Sequence, residues 1–102
     1  MTITKLMEAI KPYDRIMVAY LSSTCPACHK MQPILLELKL PHVKIISEEE
    51  QMLTMMSGVS ALPTFVFYHN GLEYYRSTGF SNLESLLRIY KMEIKIKKSK
   101  KN

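Results

Sequence analysis

The spacing of apolar positions changes repeatedly along the chain, and each change marks an element. In TKLMEAI, Leu6, Met7 and Ile10 recur at helical spacing, and with Thr4 as cap and Pro12 as stop they predict a short first helix. RIMVAYLSS follows as a continuous apolar run rich in β-formers, which predicts a strand buried on both faces and suggests a parallel sheet. In CPACHKMQPILLELKL the period becomes three and four, through Met31, Ile34, Leu35 and Leu38, so a helix is expected. Pro26 falls in its first turn, where a missing N–H is harmless, and Pro33 lies inside it, where a kink is expected.

HVKIIS reads as a second short strand, and EEEQMLTMMSG as a helix that opens on acids and closes on Gly58. TFVFYHNGLEYYRS is the strongest local signal: two β-rich runs meet at Asn70-Gly71, the favoured dipeptide of a type I′ hairpin. In SNLESLLRIYKMEIKIK, Leu83, Leu86, Leu87, Tyr90 and Ile94 form one stripe, and Ser81 with Glu84 forms a capping box. The order α, β, α, β, α, β, β, α predicts an α/β fold whose mixed sheet of about four strands is covered by helices on both faces.

A length of 102 residues sets this as one domain, expected over residues 1–97 with a basic tail at 98–102. No segment approaches the roughly 18 uninterrupted apolar residues of a membrane span, and the first residues show neither an h-region nor a cleavage site, so a cytoplasmic monomer without membrane attachment is expected. The net charge of +5 is concentrated in Lys91, Lys95, Lys97, Lys98, Lys100 and Lys101. Cations suit a helix C-terminus, and with Tyr90 as the one aromatic among these lysines, nucleic acid is not the expected partner.

Composition leaves the chemistry open, and SSTCPACH narrows it, because both cysteines lie there, two residues apart. C-x-x-C-H occurs in zinc sites, at the attachment point of c-type haem, and as a redox dithiol. Zinc needs further ligands, and His29, His42 and His69 lack paired spacing; haem attachment implies export. Two cysteines held only as core residues remain an alternative. The eight methionines invite a metal or haem reading, but Met31, Met52, Met55 and Met56 fall at helical spacings and read as core filler. For a dithiol at the start of a helix, unpaired N–H groups and the helix dipole favour Cys25 as thiolate, below the ~8.5 of a free cysteine. Cys28, one turn deeper, then resolves the mixed disulfide, and a Cys25–Cys28 disulfide closes the cycle without cofactor or metal.

A helix opening with C-x-x-C, then K-M-x-x-P, then L-P-T before a hairpin resembles the thioredoxin family. The resemblance extends over nearly the whole chain: Lys44 in the second strand, Gly58-Val59 before SALPT, FYHNG at the hairpin and Gly79 ahead of the last helix all stand at corresponding places. It implies a thioredoxin fold and reduction of protein disulfides, recharged by a reductase or a small thiol. It also implies a cis bond at Pro63, facing the dithiol, with Leu62, Pro63, Thr64 and Gly79 forming the substrate surface and the Leu62 backbone available to an extended substrate strand. Pro26 and Ala27 replace the family's glycine-proline, Thr24 replaces a tryptophan, and Ala19 replaces a buried aspartate, which predicts a slower resolving step. Lys44, the usual neighbour of that aspartate, is expected either to favour a thiolate by its charge or simply to reach solvent. His29 either tunes a thiol or sits at the surface. A glutathione-dependent, glutaredoxin-like enzyme and a non-catalytic binding module are the rival readings; redox potential, direction of exchange, substrate and donor are not encoded legibly.

Overall fold

A computed structural model of the chain describes residues 1–94. Its elements follow the expected order: α1 (Ile3–Ile10), β1 (Arg15–Leu21), α2 (Pro26–Glu37), β2 (His42–Ile46), α3 (Gln51–Met56), β3 (Thr64–His69), β4 (Leu72–Thr78) and α4 (Leu83–Lys91). The tail at 98–102 lies outside the described residues, as do the lysines from Lys95 onward.

The four strands form one mixed sheet in the order β2-β1-β3-β4. β1 runs parallel to β2, with Ala19 opposite Lys44, and antiparallel to β3, with Ala19 opposite Phe65. β1 is central, which is why its run from Ile16 to Leu21 is buried on both faces. Alternation along it feeds two cores. Met17, Ala19 and Leu21 face α2 and α4 with Cys28, Met31, Leu35 and Leu86, and Ile16, Val18 and Tyr20 face α1 and α3 with Leu6, Ile10 and Leu53. Tyr20, Phe65 and Phe67 are fully buried, each stabilising by on the order of 1.5–3 kcal/mol.

The β3–β4 hairpin turns through Asn70 at φ 52° and Gly71 at φ 82°, the left-handed pair that a type I′ turn requires. β4 carries a bulge, since Phe67 opposes Tyr75 and Tyr68 opposes Glu73.

Four local expectations are corrected. Thr2, not Thr4, caps α1, its side chain accepting from Lys5 N–H at 3.2 Å. Asn82, not Ser81, caps α4 through Ser85 N–H at 2.8 Å; Ser81 is buried, and its own N–H is given to Met31 Sδ. α4 ends at Lys91, so Ile94 lies past the helix whose stripe it was expected to extend. Met52, Met55 and Met56 are 60–65% exposed rather than core, because α3 turns Leu53 and Thr54 inward instead; Met31 is fully buried as expected. α2 continues as one helix through Pro33.

Candidate active site

Cys25 is the N-cap of α2, with extended backbone (φ −98°, ψ 115°), and Pro26 begins the helix. The cap role is normally filled by an oxygen. Here the sulfur fills it, Cys25 Sγ accepting from Cys28 N–H at 3.2 Å. Cys25 is half-buried and Cys28 fully buried, so one sulfur faces outward and the other lies one turn behind it. Both thiols are free, which makes this the reduced form of the pair rather than the Cys25–Cys28 disulfide. Burial pushes the Cys28 thiol up to about 11, with the hydrogen bond to Cys25 and the charges of Cys25 and Glu48 acting in the same direction and a backbone bond from Ser22 acting against them.

The loop before β3 closes over the pair. The Leu62–Pro63 peptide is cis, and Cys25 Sγ donates to Leu62 O at 3.7 Å. Pro63 O accepts from Gly79 N–H at 2.8 Å, which draws the β4–α4 connection to the same end of the sheet. Gly79 has φ 93°, while an added Cβ would meet nothing within 4 Å, so backbone conformation and not space calls for glycine here. Thr64 is buried and donates to Ala61 O at 2.5 Å. Of the four expected surface residues, Leu62 meets Cys25 directly, Pro63 and Thr64 follow it in the chain, and Gly79 is joined to Pro63.

Pro26 is exposed and Ala27 half-buried between the cysteines. Lys44 is exposed on β2, and the strongest charges on Cys28 are those of Cys25 and Glu48. Ala19 is fully buried in the same core as Cys28, so no carboxylate stands beside that thiol from β1. The histidines are engaged separately: His29 Nε2 lies 2.6 Å from Ser23 O, His42 Nδ1 2.9 Å from Leu40 O, and His69 Nδ1 2.9 Å from Asp14 O.

The polar role of Thr24 and the whole of Glu48 went unseen in the sequence. Thr24, where an aromatic was missing, closes a small polar turn, its N–H donating to Ser22 Oγ at 3.2 Å and its hydroxyl lying 3.1 Å from the same atom. Glu48, one of three consecutive acids, accepts from Ser23 N–H at 3.0 Å and from the Ser23 hydroxyl. No spacing rule singled it out from Glu49 and Glu50.

A dithiol at a helix start, set against a cis-proline loop at the end of a four-stranded mixed sheet, defines the class of thioredoxin-fold dithiol proteins. The comparisons agree. The family model for Thioredoxin matches residues 2–92. A thioredoxin of Chlamydia trachomatis is 27% identical over 79 residues, 72% of this chain and 78% of that protein. Thioredoxin H-type 1 of Nicotiana tabacum is 33% identical over 77 residues, 71% of this chain and 61% of that one. The crystal structure of oxidized mitochondrial thioredoxin 3 from Saccharomyces cerevisiae superimposes with a TM-score of 0.78 at 26% identity, covering 88% of this chain and 89% of that one. The chain belongs to the thioredoxin family, and it is a thiol–disulfide oxidoreductase. The glutaredoxin-like and non-catalytic readings are not favoured by these matches.

Among the described residues no helix is long and apolar enough to cross a membrane.

Proposed function

We propose that Cys25 is the attacking sulfur, Cys28 the resolving one, and that the chain reduces protein disulfides. The observation that carries this reading is the asymmetry of the pair: Cys25 Sγ is reachable and receives the Cys28 N–H, while Cys28 is sealed beneath it. A sulfur that accepts an N–H at a helix start has a partner for negative charge, which is the form that attacks. The Cys28 thiol, held at about 11, stays protonated at neutral pH until the mixed disulfide brings an electrophilic sulfur to it.

The exchange proceeds in two displacements. Cys25 thiolate attacks one sulfur of a substrate disulfide; that S–S bond breaks, a Cys25–substrate bond forms, and the departing sulfur takes up a proton. Cys28 then gives up its proton and attacks Cys25 Sγ, releasing the second substrate thiol and leaving the Cys25–Cys28 disulfide. Two electrons and two protons have passed to the substrate. A reductase or a small-molecule thiol returns them, and no metal or organic group is needed.

Leu62, Pro63, Thr64 and Gly79 form the substrate surface in this reading, with the Leu62 backbone meeting an extended segment beside Cys25. Pro26 and Ala27 set the potential of the pair, and Lys44, at the surface of β2, contributes at most a distant favourable charge. A monomer in a reducing compartment such as the cytoplasm fits a dithiol that must be regenerated.

Reduction of insulin with dithiothreitol as donor tests the assignment. Wild type is expected to precipitate insulin well above the uncatalysed rate, and Cys25→Ser to fall to that background. Full activity in Cys25→Ser would remove Cys25 from the mechanism, and an inactive wild type that holds a stable partner complex would favour a binding module.

A further inference from the structure

We propose that Glu48 is a positioning residue for the dithiol, holding the Ser22–Thr24 turn through Ser23. This rests on the dithiol reading above. Every polar group of Ser23 is committed: its N–H and its hydroxyl go to the Glu48 carboxylate, and its carbonyl meets His29 Nε2. Ser23 is therefore a three-way junction of the turn after β1, the first turn of α2 and the turn after β2. Two residues further on, Cys25 must begin the helix with its sulfur toward Leu62 O. Besides Ser23, the turn is tied down by Ser22, whose backbone bonds to Cys28 and whose hydroxyl also reaches the Glu48 carboxylate. Thr24 bonds to Ser22 inside the turn, Cys25 N–H reaches Ser22 O at a long 3.4 Å, and Ser47 N–H to Leu21 O at 2.7 Å ends the β1–β2 ladder before the turn starts.

The carboxylate is suited to a clamp and unsuited to taking a proton. The Ser23 hydroxyl, the backbone N–H of Glu48 itself and the Ser23 N–H together hold it at about 2, so at neutral pH it is fully ionised and a very weak base. It does not substitute for the carboxylate that Ala19 lacks. Held in this way, the turn presents Cys25 in one geometry.

Stopped-flow reaction of the reduced protein with 5,5′-dithiobis(2-nitrobenzoate) reads this role. Attack by Cys25 releases one thionitrobenzoate and leaves the other on Cys25; attack by Cys28 releases the second and forms the Cys25–Cys28 disulfide. Glu48→Ala and Glu48→Gln both lack the charge, and the glutamine alone keeps an oxygen for Ser23, so their difference reads the clamp. Glu48 is exposed, and circular dichroism is expected to show both variants folded at the assay temperature.

The first phase is expected to be about fivefold slower in Glu48→Ala than in Glu48→Gln, the scale of one lost hydrogen bond. The gap should narrow in a Ser23→Ala background. Equal first phases in the two variants, or a gap untouched by Ser23→Ala, would overturn the clamp. A wild type that releases a single equivalent would overturn the dithiol assignment, and this proposal with it.

Discussion

At one end of the sheet the guanidinium of Arg15 donates to Tyr90 O and Met92 O and lies 5.3 Å over the Tyr74 ring, while the hydroxyls of Tyr74 and Tyr90 reach back to Tyr90 O and Arg15 O. At the other end, the turn before Cys25 is held by serine and threonine hydroxyls and one exposed carboxylate. Both ends belong to β1, seven residues long, and α4 spans both, with Asn82 at the dithiol end and Tyr90 at the Arg15 end. The difference separates two tasks. Aromatic and guanidinium groups lock the last helix onto the scaffold; small polar groups leave the sulfurs reachable and let a substrate strand approach.

Removing the lock should have the largest effect on stability. Arg15→Ala is expected to lower unfolding free energy by about 2 kcal/mol, the range for hydrogen bonds from a charged donor. The thiol exchange rate of the folded fraction should be unchanged. Urea unfolding followed by circular dichroism, with single-turnover exchange in parallel, checks both, and a lost exchange rate in a stably folded Arg15→Ala would erase the separation of the two ends.

The dithiol end should dominate the response to alkaline pH. Cys28 is raised from an ordinary 9.0 to about 11, so between those values the native state keeps a proton that the unfolded state has lost. The stability this proton difference supplies is fully present below about 9 and is lost as pH climbs toward about 11. Because the tyrosines and lysines titrate in the same region, the comparison is with Cys28→Ser, which should lack this component. The oxidised protein, having no thiol to titrate, should lack it as well.

The smallest effect sharpens the comparison within α4. Asn82→Ala removes the cap at the dithiol end and should cost about 1 kcal/mol, less than Arg15→Ala at the other. A Ser81→Gly variant would not serve as its control, because Ser81 is buried and its N–H is engaged with Met31. Thermal unfolding of Asn82→Ala beside Asn82→Ser, which restores a capping oxygen, isolates the cap.

Much of this was legible in the chain because the signals were local. Asn70-Gly71 fixes a turn by its own backbone preference, and Cys25-Pro26 marks a helix start because proline suits the first turn. The unbroken apolar run at Ile16–Leu21 announced a strand buried on both faces. What was missed depends on which of two adjacent candidates tertiary packing selects. Thr2 and Thr4 both precede the same apolar stripe, and Ser81 and Asn82 are both good caps. Met52, Met55 and Met56 share a helical face, but periodicity cannot say that Leu53 and Thr54, on the other face, would be the ones buried. Glu48 was illegible for a stronger reason: its partner, Ser23, lies 25 residues away, and only the parallel pairing of β1 with β2 brings the two turns together.

The account stands on the inequality of two sulfur atoms, and brief alkylation of the reduced, folded protein with iodoacetamide at neutral pH, read by peptide mass spectrometry, measures it directly. Label on Cys25 with Cys28 protected until the protein is unfolded is the predicted result. Equal labelling of the two, or faster labelling of Cys28, would contradict it.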